Sequence, residues 1–575
     1  MYNSKLAELF EEIADMLELD PKISRFEPRA YRKAAMTIGT LQEDVGEIYE
    51  KRGLNGLMEL SGVGKSIAGH IEEYIKTGKI KKYEELKKKY PVDFSGLTKI
   101  QGMGAKKALK LHTELNVKNV DDLKKAIERH RIRELEGFGE RSEEELAKGI
   151  ALLESSKGRM LLGTALPEAE NIVKKLMDSG LVEKAMVCGS TRRMKETVGD
   201  LDILIISKNG EKVMDFVTKM NEVENIMLRG PTKTTVWLKI GLSCDFRLIE
   251  PTSFGAATQY FTGNKNHNIK IREIAIKKGY KLNEYGLFDK KNRNAVAGKG
   301  EEEIYKALGM DCMPPEMRED RGELDLAAQH KLPQVVGLDD ILGDLHVHSK
   351  HSDGDSTIEE MALEAKRLGR KYIGITDHSK SEHVANGMDD SQFLKYFDEI
   401  DRLNDRGLGI KILKSGEVDI LKDGTLDLKD KTLEQMDYVI GSVHMNTNMD
   451  KEEMTKRVIK AIESGHLNII AHPTGRLINR REPFQIDLDN VFESAEKNNV
   501  AMEIDAFPDR LDLNDENIFK AKKYKINFSI DTDAHRPSHL QFMRYGIGMA
   551  RRGWLTAHNV LNTLPEEKLL KVFKK

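Results

Sequence analysis

Hydrophobic residues recur every three or four positions through the first 160 residues. They predict short helices at Lys5–Leu19, Ala30–Glu50, Lys65–Lys76, Lys106–Leu115 and Ser142–Ser155, joined by polar connections. Near Met186 the period shortens. Ala185–Val187, Leu201–Ile206, Thr235–Ile240 and Cys244–Leu248 are β-prone runs set apart by Gly, Asn and Pro, with helical patterns at Glu168–Met177 and Lys212–Met220; together they predict an α+β unit. Between 311 and 340, Pro314, Pro315, Gly322, Pro333 and Gly337 interrupt any period, and a linker is expected. Beyond it, apolar runs at Tyr372–Thr376, Ile410–Ile420, Tyr438–Val443, Leu467–Ala471, Ala501–Asp505 and Asn527–Thr532 alternate with helical stretches. That alternation predicts a sheet or barrel with function at the strand C-termini.

Composition narrows the picture. The 575 residues are 39% apolar and 33% charged, too apolar for a disordered chain, and at ~150 residues per domain they predict about four folding units. No apolar run is long enough to span a bilayer, and Met1–Asp20 reads as an amphipathic helix, so a cytoplasmic protein is expected. A monomer is the default expectation. Cys188, Cys244 and Cys312 are too few and too far apart for a disulfide framework or a Cys-rich zinc site. The net charge of −3 hides a local excess of base: residues 51–150 hold 22 basic against 16 acidic side chains, and 251–300 hold 10 against 3. Eleven of the 16 histidines follow residue 340, so the two halves are built differently.

One pattern occurs three times in the helical part: Gly62-Val63-Gly64-Lys65, Gly102-Met103-Gly104-Ala105-Lys106 and Gly137-Phe138-Gly139-Glu140. Two glycines around one apolar anchor make a tight turn whose backbone N–H groups, with the following helix N-terminus, face an anion. The natural anion is a nucleic-acid phosphate, contacted without reading sequence. These turns resemble the helix-hairpin-helix motif. A P-loop reading of Gly64-Lys65-Ser66 fails, because Glu59 stands where that motif needs glycine.

A second constellation is Gly189-Ser190-Thr191-Arg192-Arg193 followed by Asp200-Leu201-Asp202 at the start of a strand. Strand alternation projects both carboxylates from one face, where a divalent cation offsets their repulsion. Asp245, on a later β-prone run, completes a set suited to two cations about 4 Å apart, the arrangement for nucleotidyl transfer. Gly189 and Ser190 would begin a helix near the phosphates, and Arg193 would neutralise them.

On these residues, positions 1–316 resemble a family X DNA polymerase, similar in layout to polymerase beta. Tyr260-Phe261-Thr262-Gly263 matches the family signature of the nucleotide sugar pocket. Asn268 and Arg272 match residues that contact nucleotide and template, and Arg159, Ser190 and Arg193 match triphosphate contacts. The resemblance implies that Asp200, Asp202 and Asp245 carry polymerisation with two Mg²⁺, with gapped or primer-template DNA and dNTPs as partners. One departure stands out. The family lysine that removes a 5′-deoxyribose phosphate falls on His70, and imidazole forms no Schiff base. Tyr31-Arg32-Lys33-Ala34-Ala35 keeps a family-like 5′-phosphate-binding stretch, so gap binding is expected, and the lyase activity only where Lys65, Lys33 or another amine substitutes.

After the linker, His346, His348, Asp353, His378, Glu417, His444, His472, Asp533 and His535 stand almost all at predicted strand ends, where imidazole and carboxylate can converge on metals. The pattern resembles the PHP (polymerase and histidinol phosphatase) domain, whose nine ligands match these nine residues. The resemblance implies three ions, with Glu417 bridging, and metal-assisted phosphoester hydrolysis; the ligand mixture suits Mn²⁺, Zn²⁺ or iron. A Mn²⁺-dependent 3′→5′ exonuclease follows, with abasic-site cleavage and 3′-phosphate removal as family-related activities. The expected units are hairpin domains at 1–85 and 86–157, a nucleotidyltransferase palm at 158–252, a nucleotide- and template-binding subdomain at 253–316, a linker at 317–340 and an α/β PHP domain, a distorted barrel, at 341–575. Two rivals stay open on the residues. A small-molecule phosphatase leaves the hairpins and aspartates without purpose, and a DNA-binding scaffold would incorporate no dNTP.

Overall fold

The computed structural model describes residues 2–574 apart from 25, 40, 42, 43, 99, 101, 156 and 157, with backbone alone at 4 and 151–155. Gln101 in the second hairpin and the residues joining the second and third expected units therefore lie outside the described residues.

The front of the chain is helical, but the single helix expected at Ala30–Glu50 is two, Phe26–Gly39 and Val45–Met58. Asp44 starts the second by accepting a hydrogen bond from the Gly46 N–H, an N-cap that a hydrophobic period does not register. Leu6, Phe10, Ile13, Tyr31, Ile38, Ile67 and Ile71 form one apolar core. Phe94, Leu97, Ala108, Leu111, Leu123 and Ile132 form a second, into which Met16 of the first helix reaches.

The palm is a five-stranded sheet ordered Lys184–Val187, Asp200–Ile206, Ser243–Leu248, Lys233–Leu238, Val223–Arg229. Asp200–Ile206 runs parallel to Ser243–Leu248, and the remaining pairs are antiparallel. Leu162–Asp178 packs Leu162, Ala165, Ala169, Ile172 and Leu176 into its core. The edge strand Val223–Arg229 escaped the sequence reading because it is largely exposed, so its composition carries no burial pattern. Helices Phe254–Thr262, Lys265–Lys277 and Glu301–Ala307 and a three-stranded antiparallel sheet follow.

Residues 317–340 are not a loose connector. Met317 and Arg318 are fully buried, Glu323–Ala328 is helical, and Arg318, Glu319 and Arg321 pair with Glu301, Arg193 and Asp515. Ion pairs hold this segment together with irregularly spaced buried apolar side chains, Met317, Leu324, Ala327, Val335 and Val336, so no hydrophobic period marks its packing.

The rear half is a barrel of parallel strands: Gly343–Asp344, Tyr372–Ile375, Lys411–Lys414, Glu417–Asp419, Ile440–Ser442, Ile469–Ile470, Ala501–Asp505 and Phe528–Asp531. A parallel bridge between Val347 and Ala534 brings the first and last strands together. The run expected as one strand at Ile410–Ile420 breaks at Ser415-Gly416. Its first part pairs with Tyr372–Ile375 and its second with Ile440–Ser442. Buried side chains of palm and barrel belong to one continuous apolar cluster, from Leu162 to Val560. Among the described residues, no helix is long and apolar enough to cross a membrane.

Candidate active sites

The front site is built on the palm strands. Parallel register sets Asp202 beside Asp245, and alternation puts Asp200 on the face of Asp202. Gly189 opens a one-turn helix, Gly189–Arg192, against them with φ +64°; a Cβ there would lie 2.6 Å from Asp202 Oδ2, so glycine is required on both counts. A cavity of about 460 Å³ is lined by Asp200, Asp202, Gly189, Ser190, Arg159, Arg193, Tyr260, Phe261, Gly263, Asn268 and Arg272. Eleven of the twelve residues named from sequence for this site thus share one space.

The twelfth does not. Asp245 turns its carboxylate to Thr235 Oγ1 (2.6 Å), Lys233 Nζ (2.8 Å) and Arg247 Nη2 (2.9 Å), and the three aspartates form no set of ligand atoms within 4.8 Å. The Lys233 ammonium and the Arg247 guanidinium supply the countercharge that Asp245 needs beside Asp202. Asp202 lacks such partners: burial first, then Asp200 and Asp245, push its carboxyl up to about 7. A carboxylate pair short of positive charge, at the wall of an open cavity, fits a divalent cation. Arg193 is also engaged, donating from Nε to Glu319 Oε1 (2.8 Å) and from Nη1 to the Thr262 carbonyl. Asn268 is fixed by Gln259 (2.8 Å) and by donating to the Tyr260 carbonyl (2.6 Å), and Arg272 donates to the Asn268 carbonyl (2.9 Å). Arg159 reaches the cavity held by Thr197 Oγ1 (2.9 Å).

The three hairpins share a backbone: Gly62, Gly102 and Gly137 have φ of +73°, +81° and +80°. Gly64 and Gly104 cap the helices begun by Lys65 and Ala105-Lys106, with Val63 and Met103 buried as anchors. The third differs. After Gly139 its helix opens with Glu140 and Glu143, paired to Arg133, so carboxylates occupy the first turn where a phosphate would bind. In the first domain Tyr31 Oη lies 3.0 Å from His70 Nδ1, and Lys33 pairs with Asp355 of the barrel, two residues from Asp353.

The rear site gathers all nine residues named for it. Glu417, buried just after the strand break, is central: Oε2 lies 3.4, 3.6 and 3.0 Å from ring nitrogens of His346, His348 and His378, and Oε1 lies 3.2 and 2.9 Å from His444 and His472. Asp353 lies 3.8, 3.7 and 3.3 Å from His348, His378 and His535, and Asp533 lies 3.1 Å from His348. Among the described residues four groups result, His348/Asp353/His378/His535, His346/His348/Asp533, His378/Glu417/His444 and, with two carboxylates not named from sequence, Glu382/Asp419/His444, each with ligand atoms within 4.8 Å. Glu417 Oε2, His348 Nδ1, His378 Nδ1 and His472 Nδ1 are buried without a hydrogen bond, which is the condition of ligand atoms that fit metal ions. Burial opposes ionisation of Glu417, but His378, His444 and His346 hold its carboxyl well below the usual range.

Sequence reasoning passed over the groups behind these ligands. Glu503 Oε1 is 2.6 Å from His346 Nδ1, and Asp419 Oδ1 is 3.1 Å from His444 Nδ1, each fixing the ring so that Nε2 faces the cluster. A signal existed: Glu503 and Asp505, and Glu417 and Asp419, are acidic residues at alternate positions of buried strands.

Comparisons with known proteins run along this layout. Residues 1–80 match a helix-hairpin-helix domain, 94–151 a SAM-like helix-hairpin-helix tandem, 257–319 the DNA polymerase beta thumb and 344–506 the PHP domain. The DNA polymerase/3′-5′ exonuclease PolX of Bacillus subtilis (strain 168) is 38% identical over 564 residues, covering 98% of this chain and 97% of its own. A "probable phosphatase" of Thermoanaerobacter sp. (strain X514) is 30% identical over 231 residues, 38% of this chain and 89% of its own. DNA polymerase lambda of Arabidopsis thaliana is 26% identical over 296 residues, 46% of this chain and 53% of its own. Two hairpin regions, a polymerase core and a histidine-lined barrel, shared over almost the full length of one relative, place this chain in the PolX family, family X DNA polymerases with a C-terminal PHP domain.

Proposed function

We propose that the chain fills short gaps in DNA during base-excision repair and trims 3′ ends at its rear site. The observation that carries the reading is the single front cavity that gathers eleven of the twelve residues named for nucleotidyl transfer. Its volume suits one nucleoside triphosphate, and its lining sets Asp200 and Asp202 among Arg159, Arg193, Lys195, Lys265 and Arg272, a charge pattern for polyphosphate with cations. Asp200 and Asp202 would hold Mg²⁺, and Asp245 would join them once Lys233 and Arg247 release it. Ser190 and the Gly189–Arg192 turn bind phosphate oxygens, Tyr260 and Phe261 wall the sugar, and Asn268 and Arg272 orient base and template. The hairpins at Gly62-Gly64-Lys65 and Gly102-Gly104-Lys106 hold the DNA backbone.

At the rear site, His346, His348, Asp353, His378, Glu417, His444, His472, Asp533 and His535 would hold the ions, with Mn²⁺ the preferred metal. Bound there, divalent cations supply Lewis acidity for hydrolysis of a terminal phosphodiester. Glu503 and Asp419 orient His346 and His444. Abasic-site cleavage and 3′-phosphate removal belong to the same centre, since each is hydrolysis of a phosphate ester at a DNA end or break. With histidine at position 70, no lyase step is assigned to the first domain.

Two double variants on gapped DNA test the assignment. Asp200→Ala with Asp202→Ala should abolish dNTP incorporation and leave 3′→5′ degradation in Mn²⁺ intact. His346→Ala with His348→Ala should do the reverse. Near wild-type incorporation by the first, or degradation by the second, would refute the corresponding site.

A further inference from the structure

We propose that Arg552, in the rear domain, is a positioning residue of the front cavity: it fixes Arg193 to receive the triphosphate of an incoming nucleotide. The inference rests on the reading of that cavity as the nucleotide site.

Arg552 ends the helix Met543–Arg552, which lies against the turn after Gly189–Arg192. Gly548 of this helix has no side chain where Met194 approaches; a Cβ there would lie 2.9 Å from Met194 Cβ. Arg552 is 3% exposed. Its Nη1 donates to the Arg193 carbonyl (2.8 Å) and to Glu319 Oε1 (2.8 Å), and its Nη2 donates to Asp515 Oδ2 (2.9 Å). Glu319 Oε1 is the atom that accepts from Arg193 Nε, and Glu319 Oε2 accepts from Asn264 (2.8 Å). One guanidinium of the rear domain thus holds both the backbone of Arg193 and the carboxylate that orients its side chain. Nη1 makes both of these contacts while Nη2 is held by Asp515, so the planar fork anchors one arm and aims the other, which an ammonium cannot reproduce in the same geometry.

Charge adds direction. Asp515 also pairs with Arg321 (2.9 Å), so three guanidiniums, on Arg193, Arg321 and Arg552, face two carboxylates, on Glu319 and Asp515. One positive charge is left over, and of the three arginines Arg193 alone lines the cavity. The uncompensated charge is therefore offered to an anion in that space. A merely cementing role for Arg552 is separable, because the same interface has an ion pair that does not touch Arg193: Arg544 with Glu170 (2.9 Å).

The experiment uses the full chain on one-nucleotide gapped DNA with a dideoxy-terminated primer, titrated with the complementary dNTP in Mg²⁺, alongside single-turnover incorporation on an extendable primer. Arg552→Gln should raise the dNTP dissociation constant by about tenfold, and Arg552→Lys by less. Both should keep the incorporation rate at saturating dNTP within about twofold, leave 3′→5′ degradation unchanged, and contrast with Arg544→Gln, whose dNTP affinity should match wild type. Unchanged affinity in Arg552→Gln, or an equal loss in Arg544→Gln, would overturn the proposal. Should the Arg552 variants fail to fold, amide exchange on the wild-type chain decides it: dNTP binding should slow exchange in Met543–Arg552, and no change there would refute the link. If the wild-type chain binds no dNTP, the nucleotide-site reading falls first.

Discussion

Glu168 offers a quantitative test of the palm. It lies in Leu162–Asp178, 3% exposed, and its Oε2 makes no hydrogen bond. Burial first, and then the charge of Glu222, push its carboxyl from the ordinary 4.5 up to about 7. Lys175 pulls the other way, but it is itself paired to Glu222. A carboxyl with a folded pKa above its unfolded one keeps its proton in the native chain after the unfolded chain has lost it. Stability therefore falls as pH rises from about 4.5 to 7, and the loss is complete above that window. At about 1.4 kcal/mol per pH unit, the gap between the two values is worth about 3 kcal/mol. Glutamine has the same shape and no charge, so Glu168→Gln should be near neutral at pH 4 and stabilise the palm by up to about 3 kcal/mol at pH 8.5. A chain of several domains does not unfold in one step, so the probe must be local. Trp237 lies on the palm strand Lys233–Leu238 and the other tryptophan, Trp554, in the rear domain, so urea unfolding followed by fluorescence in a Trp554→Phe background reports the palm. A stability difference that is the same at pH 4 and pH 8.5, or a less stable variant at pH 8.5, would refute the reasoning.

Two further outcomes follow from the sites. Glu503→Gln removes the carboxylate that fixes the His346 ring and should weaken Mn²⁺ binding by about 10–100-fold, measured as metal retained after dialysis, while dNTP incorporation persists. Lys65→Ala and Lys106→Ala should each weaken binding to gapped DNA uniformly across sequences and lower the salt dependence of binding by about one unit of slope; unchanged slopes would mean that these hairpins do not contact phosphate.

Motifs carried the sites because their chemistry is local. Asp200-Leu201-Asp202 and His346-Val347-His348 use strand alternation, which places two ligands on one face whatever surrounds them. Gly62-Val63-Gly64 and its repeats use a positive φ that glycine alone adopts freely. Glu503 was missed because an acidic residue on a buried strand gives no sign of its partner, His346, 157 positions earlier. The orientation of Asp245 depends on Arg247, two positions further along its own strand, and on Lys233, which strand pairing brings to it.

Element type, the chemistry of both sites and most of their residues were thus determined by the amino-acid sequence, since periodicity, glycine conformation and ligand spacing act over a few positions. The tertiary structure alone decided that residues 317–340 are packed rather than free, that Glu417 enters the barrel at a break in strand pairing, and that Arg552 reaches Arg193. Each of these rests on contacts between parts far apart in the chain, strand pairing for Glu417 and buried pairs for the others, and no local pattern encodes such a partner.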